Sequence, residues 1–239
     1  MREQARPKSA GREFRLFPIW SGLFVACLLI SNVTSQKIFA VGPFAFPGGE
    51  IVFPISYIFG DVLTEVYGYS RARTVIWTGF ICQLLAAAIY YVVGILPPAS
   101  FWHDQEAYDR IFNLVPRIAA ASMIAYFCGE FCNSWVLSRM KFAVAGRRGV
   151  QQAWRFVAST MVGEAVDTAL FALIAFAGVI DLMQLLWMSV SLYLFKVLYE
   201  VLFTPLSVRV ANWAKTIEGV DTTDDPRQTN YSPFARDRP

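Results

Sequence analysis

Ionisable residues interrupt apolar stretches of the sequence that are long enough to cross a membrane. A charge at the centre of a bilayer costs at least about 2.5–3.5 kcal/mol on insertion scales. Such a residue therefore faces the interior of a helix bundle or water, and it is a candidate for function. The residues concerned are Asp61, Glu65, Glu130, Glu164, Asp167, Lys196 and Glu200.

Three of these acids share a local pattern, in which a glycine precedes the acid and polar residues follow three or four positions later. The three runs are Gly60-Asp61 with Thr64-Glu65, Gly129-Glu130 with Asn133-Ser134, and Gly163-Glu164 with Asp167-Thr168. Residues at this spacing share one face of a helix, and glycine lets a neighbouring helix approach closely. The pattern predicts that three helices turn these faces towards one central site. Helix packing alone would explain the glycines, but it does not require the carboxylates.

The cation among these acids is Lys196, and Glu200 follows it by one helical turn. An ion pair between the two is one interpretation, and it would leave the other acids without a cation inside the membrane. Glu65 is expected to pair with Arg71 or Arg73, because it lies near the end of its helix. The remaining acids must then either carry protons or be satisfied by a cationic or donor-rich ligand.

A site of this composition suits a small heterocycle rich in N–H donors better than an anion. A carboxylate accepts hydrogen bonds with two oxygens, so it matches two adjacent N–H groups, as on the edge of a guanine-like ring. Asn133 adds a donor and an acceptor. Tyr57 and Tyr126, each one turn before an acid, would supply flat surfaces for the ring.

The sequence lacks the motifs of several other kinds of site. It has no G-x-x-x-x-G-K-[ST] run for binding phosphate and no Ser/His/Asp set. Cys128 and Cys132 are one helical turn apart without a neighbouring histidine, whereas structural zinc needs four ligands. We therefore expect no enzyme activity, no ATP hydrolysis by the chain itself, no metal and no cofactor.

Transmembrane helices are the elements that must position these residues. Of the 239 residues, 56% are hydrophobic and 16% are charged, whereas about 25% are charged in an average soluble domain. The mean hydropathy is +0.43. A helix needs roughly 20 apolar residues to cross the hydrocarbon core. The predicted fold is an all-α integral membrane protein with six transmembrane helices, at about residues 16–38, 51–69, 73–96, 113–138, 154–179 and 184–208.

The distribution of basic residues predicts the orientation. With six spans, most of the 21 Lys and Arg residues fall on one side of the membrane, and this excess is typical of the cytoplasmic side. We expect a multi-pass protein of the bacterial inner membrane with both termini in the cytoplasm. Residues 1–15 would be a cytoplasmic tail and residues 16–210 the transmembrane domain. The polar residues 211–239 would be a disordered cytoplasmic tail.

Residues 53–68 (FPISYIFGDVLTEVYG), followed by Arg71-Ala72-Arg73, resemble the hallmark of the queuosine precursor transporter family. This family has also been called the vitamin uptake transporter family, and the resemblance covers about residues 17–210. Some relatives carry Gln and Asp where Glu130 and Asn133 stand, so the individual hydrogen bonds of the site stay open. The other matching residues are Asn32, Arg117-Ile118, Ala121-Ser122, Gly129-Glu130, Asn133-Ser134, Ser159-Thr160, Gly163-Glu164, Asp167-Thr168, Phe195-Lys196 and Pro205.

The resemblance implies a transporter that takes up 7-cyano- or 7-aminomethyl-7-deazaguanine, both of which keep the donor edge of guanine. It also implies an architecture similar to the substrate-binding subunits of energy-coupling-factor transporters, although no separate ATPase module is expected. One alternative is a binding subunit for another vitamin-like heterocycle, which would need such a module. Another is a membrane enzyme or scaffold. The expected partners are the deazaguanine and the lipid bilayer, without nucleic acid, and a homo-oligomer stays open.

These arguments assign roles to two groups of residues. The predicted substrate-binding residues are Asp61, Glu130, Asn133, Glu164, Asp167, Tyr57 and Asn32. The residues predicted to be structural or to couple transport to an energy source are Glu65, Lys196, Glu200, Arg71 and Arg73.

Overall fold

The computed structural model of the protein describes residues 14–35, 37–41, 44–112, 116–178 and 181–235. These residues form seven α-helices and one short hairpin. The helices are α1 (Phe17–Thr34), α2 (Phe53–Tyr67), α3 (Tyr69–Gly94), α4 (Gln105–Phe112), α5 (Pro116–Ala143), α6 (Val150–Phe176) and α7 (Leu182–Glu218). Strands β1 (Ile38–Val41) and β2 (Phe44–Pro47) pair antiparallel, with Ile38 opposite Pro47, and a 3-10 turn (Gly48–Ile51) leads into α2. The hairpin was not expected from the sequence.

Four of the helices, α1, α3, α6 and α7, are long and apolar enough to cross a membrane. Their outer faces carry exposed apolar side chains, such as Leu85 and Ile89 on α3 and Leu198 and Leu202 on α7. Contiguous apolar surface of this kind marks contact with a membrane or a partner. These features are typical of a multi-pass membrane protein. Helix α2 has 15 residues, fewer than a helix needs to cross the hydrocarbon core. The number of six spans therefore stays a prediction.

Helix α2 lies at the centre of the helix bundle, where it packs against α1, α3, α5 and α7. Its side chains at Tyr57, Val62 and Val66 are buried. The helix ends at Tyr67, and it is followed by Gly68, whose φ of 87° is a conformation that residues with a side chain rarely adopt. Helix α3 begins at the next residue, so Gly68 makes the sharp turn between the two helices. Helix α6 packs along α5 and also contacts α7.

The residues after α7 correct the prediction of a disordered tail. Helix α7 continues to Glu218, well past its predicted end, and the 220–235 segment packs against the ends of α2, α3 and α5. Asp224 accepts hydrogen bonds from the backbone N–H of Tyr69 (2.9 Å) and from the hydroxyl of Ser138 (2.6 Å). Trp77 donates its indole N–H to the carbonyl of Pro233 (2.8 Å). The segment is polar because it satisfies donors at the helix ends.

Candidate functional site

Buried acids from four helices meet inside the bundle. Asp61 comes from α2, Glu130 from α5, Glu164 and Asp167 from α6, and Lys196 and Glu200 from α7. We call these six residues the central cluster. Every member is at most 5% exposed. The structure thus brings together the acids of the three glycine–acid runs, as the spacing predicted, while their role in binding stays a prediction.

Between α2 and α5, the polar residues of the two runs contact each other directly. Asn133 donates its side-chain N–H to Oδ1 of Asp61 at 2.9 Å, and the hydroxyl of Thr64 donates to that of Ser134 at 3.0 Å. The carboxyl group of Glu130 lies against Gly60, in space that a Cβ atom at Gly60 would occupy. The glycine of one helix therefore makes room for the acid of the next.

Helices α5 and α6 approach each other closely at two glycines. A Cβ atom added to Gly129 would lie 2.8 Å from Cβ of Asp167 and 2.8 Å from the carbonyl oxygen of Gly163. One added to Gly163 would lie 2.8 Å from Cβ of Asn133. Backbone atoms cannot move aside as a flexible side chain can. These two glycines therefore fix the distance between the acids of α5 and those of α6.

Lys196 forms ion pairs with the two acids of α6. Its Nζ lies 2.7 Å from Oδ2 of Asp167 and 2.9 Å from Oε2 of Glu164. The interpretation of a Lys196–Glu200 ion pair is therefore wrong, because the facing helix offers two carboxylates that lie closer to the amine. Oε1 of Glu200 is buried and has no hydrogen-bond partner among the described residues.

The central cluster has more hydrogen-bond acceptors than donors. Both carboxylate oxygens of Glu130 are buried without a hydrogen-bond partner in the described part of the chain, and so are Oδ2 of Asp61 and, beside the cluster, Oδ1 of Asn133. Lys196 is the one cation of the cluster. A buried acceptor without a donor costs about 1–3 kcal/mol, and more when it is charged. The arrangement can therefore bind a cation, protons or a ligand rich in N–H groups.

Two tyrosines and one further acid stand beside the cluster. The buried rings of Tyr57 and Tyr126 meet edge to face, with their centroids 6.2 Å apart. Glu50, in the 3-10 turn before α2, has a buried Oε2 without a hydrogen-bond partner among the described residues, and it is close enough to Lys196 for their charges to interact. Sequence reasoning missed Glu50, because it precedes the predicted span. Asn32 is partly buried on α1, without a hydrogen bond to the cluster in the described structure.

A second group of charges lies where α2, α5 and α7 end and α6 begins. We call Glu65, Lys141, Arg155, Lys215 and Asp221 the Glu65 cluster. Oε1 of Glu65 accepts hydrogen bonds from Lys215 at 2.6 Å and from Arg155 at 2.7 Å. Asp221 forms ion pairs with Lys141 at 2.5 Å and with Lys215 at 2.9 Å. Lys141 also donates to the backbone carbonyl of Glu65.

The predicted partners of Glu65, Arg71 and Arg73, are used elsewhere. Arg71 donates to the carbonyl of Tyr67 at 3.1 Å, and its guanidinium lies over the ring of Phe14. Arg73 donates to the carbonyls of Asn230 and Ser232 at 2.8 and 3.1 Å. The prediction for Glu65 was therefore wrong, because its true partners are far away in the sequence. The side chain of Arg117, another residue of the resemblance, lies outside the described residues.

Comparison with known proteins places the chain in a family. The model of a family described as putative vitamin uptake transporter matches residues 47–210. The chain belongs to this family. The matched residues include every member of the central cluster. Lys215 and Asp221 of the Glu65 cluster lie beyond residue 210, where the match ends.

Curated relatives of this chain carry more specific names. It is 31% identical to the "Queuosine precursor transporter" of Escherichia coli over 77% of this chain and 81% of the relative. It is 27% identical to the "Probable queuosine precursor transporter" of Bacillus subtilis, over 78% of this chain and 80% of the relative. The resemblance to the queuosine precursor transporter family is thereby confirmed. No solved structure matches the chain significantly, so the similarity to energy-coupling-factor subunits stays a prediction.

Proposed function

We propose that the protein imports queuosine precursors, 7-cyano- or 7-aminomethyl-7-deazaguanine, into the cytoplasm, and that the central cluster binds them. The names of the relatives support this class of substrate. The observation that carries the assignment to the central cluster is its surplus of buried acceptors. In guanine, N1–H and the 2-amino group lie side by side, and one carboxylate can accept from both.

The surroundings of the cluster fit the rest of such a ligand. The rings of Tyr57 and Tyr126 are aromatic surfaces against which the fused ring packs. The aminomethyl group of one precursor is a cation at neutral pH, and it can form an ion pair with a carboxylate of the central cluster. Glu164 or Glu130 is the preferred partner of the guanine edge, with Asp61 in reserve, because each of the first two has a second polar residue one turn away.

The same proposal includes six transmembrane helices. Helix α2 is surrounded by four other helices, so it exposes little surface to lipid and needs a less apolar sequence than an outer helix. With α2 and α5 also crossing, both termini lie in the cytoplasm of a bacterial inner membrane. Cysteine reagents applied from outside then label positions near His103 and Asp181 but not near Gly146. External labelling at Gly146 would overturn this orientation.

Transport by the purified protein in liposomes, with no other protein present, tests the function. We expect uptake of a radiolabelled 7-deazaguanine precursor without ATP. Uptake only in the presence of an ATPase module would favour the binding-subunit alternative. Asp61→Asn, Glu130→Ala and Asp167→Asn are each expected to abolish uptake while the protein remains in the membrane. Glu106→Gln, in the exposed helix α4, is the matched control and should transport normally. Normal transport by all three cluster variants would refute the central site.

A further inference from the structure

Glu130 differs from the central-cluster acids of α2 and α6 in its hydrogen bonds. Asp61 accepts from Asn133, and the acids of α6 pair with Lys196. Glu130 is 0% exposed, and neither of its oxygens has a hydrogen-bond partner in the described structure. An ionised carboxylate removed from water and left without a partner is strongly disfavoured. The geometry around Glu130 therefore suits a neutral carboxyl group.

The neighbours of Glu130 add no positive charge that would offset an ionised state. The ionisable groups that act on it come from the helices packed around it: Tyr57 and Asp61 of α2, Tyr126 of α5 itself, Glu164 and Asp167 of α6, and Glu200 of α7. Helix α3 also packs against α5 but contributes no charged group to this set. Lys196, the cation of the cluster, is held by Glu164 and Asp167.

A permanently neutral group at this position would not need to be an acid, because glutamine has nearly the same shape and carries no charge. An acid has a use at this position if its carboxyl group binds a proton and later releases it, each time that water gains access to the group. Gly60 makes this place available, since any side chain there would collide with the carboxyl group. The buried carboxyl group is thus a site where one proton can be bound and released.

We propose that Glu130 is the proton-binding residue of a proton-coupled uptake cycle, an inference that rests on the proposed function. A proton from the outer solution adds to a carboxylate oxygen of Glu130 while the central cluster is open to the outside. It remains there as a neutral carboxyl group while the cluster is closed around the substrate, and Glu164 is then the carboxylate that accepts from the guanine edge. When the cluster opens to the cytoplasm, water stabilises the carboxylate and the proton leaves to the cytoplasmic solution. One proton thus enters with each substrate molecule.

The test uses the full protein in liposomes, with the membrane voltage clamped and the uncharged 7-cyano-7-deazaguanine as the labelled substrate. With an inside that is more alkaline by one pH unit, wild-type protein should accumulate the substrate up to about tenfold over the outside, because one proton is coupled to each molecule. Glu130→Gln mimics the protonated state. Because Glu130 also belongs to the binding cluster, this variant should exchange labelled for unlabelled substrate more slowly than wild type. Under the same gradient it should reach only equal concentrations on the two sides, at whatever rate it exchanges. Glu106→Gln should behave as wild type does.

Each alternative result overturns the inference. Gradient-driven accumulation by Glu130→Gln would show that the proton binds elsewhere, and loss of exchange in this variant would make Glu130 a residue of binding or folding. Wild-type exchange that ignores the pH gradient would contradict proton coupling and leave the proposed function intact. A wild-type protein that neither exchanges nor accumulates any 7-deazaguanine would refute the proposed function, and the inference would fall with it.

Discussion

The two buried groups of charges in this protein differ in how far their charges are balanced. In the Glu65 cluster, cations outnumber acids, and Glu65 and Asp221 each lie within 3 Å of two of them. In the central cluster, acids outnumber the single lysine, and Glu130 has no donor within the described structure. In the Glu65 cluster the chain supplies two cations to each acid, so the group can hold helices together, even though Oε2 of Glu65 has no hydrogen-bond partner among the described residues. In the central cluster the chain supplies too few donors for the acids, so that group can bind a ligand or protons.

The two groups also differ in their relation to the family. The central cluster lies within the residues that the family model matches, whereas the Glu65 cluster takes Lys215 and Asp221 from beyond residue 210. Under the proposed function the first group binds the substrate, and we expect the second to hold the helices together. Changes in the Glu65 cluster should therefore affect stability, and changes in the central cluster should affect uptake.

The largest expected effect on stability follows from removing one partner of Glu65. Arg155→Met leaves a buried carboxylate short of a partner, and breaking a buried pair in this way costs about 3–5 kcal/mol. The thermal unfolding temperature in detergent should fall strongly, and less protein should reach the membrane. Arg148→Met is the matched control, because Arg148 is exposed and lies 3.5 Å from Asp221; it should change stability by less than about 1 kcal/mol. Equal effects of the two changes would remove the structural role of the Glu65 cluster.

The selectivity of the central cluster gives the next effect. A 7-deazaadenine presents an acceptor at N1 where the guanine ring presents a donor. The lone pair of N1 would then face a lone pair of the carboxylate, and no hydrogen bond would form between them. This should cost about 1–3 kcal/mol, which is about tenfold to a hundredfold in affinity. Competition of the two ring systems against a labelled precursor measures the ratio. Equal affinities would break the assignment of the guanine edge to a carboxylate, even if uptake itself were observed.

The contact between α5 and α6 gives an effect of similar or smaller size. Gly129→Ala forces a methyl group against the backbone of Gly163, and overpacking of this kind costs about 1–3 kcal/mol. Gly22→Ala is the control, because nothing lies within 4 Å of the added atom. The control should be neutral or slightly stabilising, since alanine favours a helix more than glycine does. Unfolding temperatures would rank the two variants, and a stable Gly129→Ala protein with full uptake would mean that the helix spacing does not matter.

The smallest effect concerns Asp221, which lies after α7. Burial raises the pKa of its carboxyl group, but the hydrogen bonds and charges of Lys141 and Lys215 outweigh burial and place the pKa below its ordinary value. A lowered pKa stabilises the fold above the ordinary value of about 3.9, and this contribution is lost as the pH falls through the folded-state pKa. The difference in unfolding temperature between wild type and Asp221→Asn should therefore shrink between pH 6 and pH 3. A constant difference would show that the Asp221 charge does not stabilise the fold.

The central cluster could be predicted from the sequence because its pattern is local. A glycine, an acid and polar residues three or four positions later fix one helix face, and three copies of that pattern indicate a common meeting point. The partner of Lys196 could not be found in this way. Glu200 lies one turn away on the same helix, but the structure selects Asp167 and Glu164 on the facing helix. Spacing along one helix carries no information about which face of another helix lies opposite.

The Glu65 cluster and the 220–235 segment were missed for a related reason. The sequence favoured Arg71 and Arg73 for Glu65 because they are near in the chain, whereas Arg155 and Lys215 are 90 and 150 residues away. The 220–235 segment has the polar composition of a disordered tail. It is nevertheless ordered, since its carbonyls and Asp224 accept hydrogen bonds from Arg73, Trp77 and Tyr69. The composition of the segment gives no information about donors elsewhere in the chain.

The long sequence separation of Glu65 from its partners has a consequence for how the protein is made. A ribosome delivers α2 to the membrane long before it has synthesised Arg155 on α6 and Lys215 on α7. The carboxylate of Glu65 therefore lacks these two partners while the intervening helices are inserted. Helix α2 is expected to stay near the lipid–water boundary, or to be sheltered by the insertion machinery, and to reach its central position late. A nascent chain arrested before residue 155 would be the species most exposed to membrane quality-control proteases.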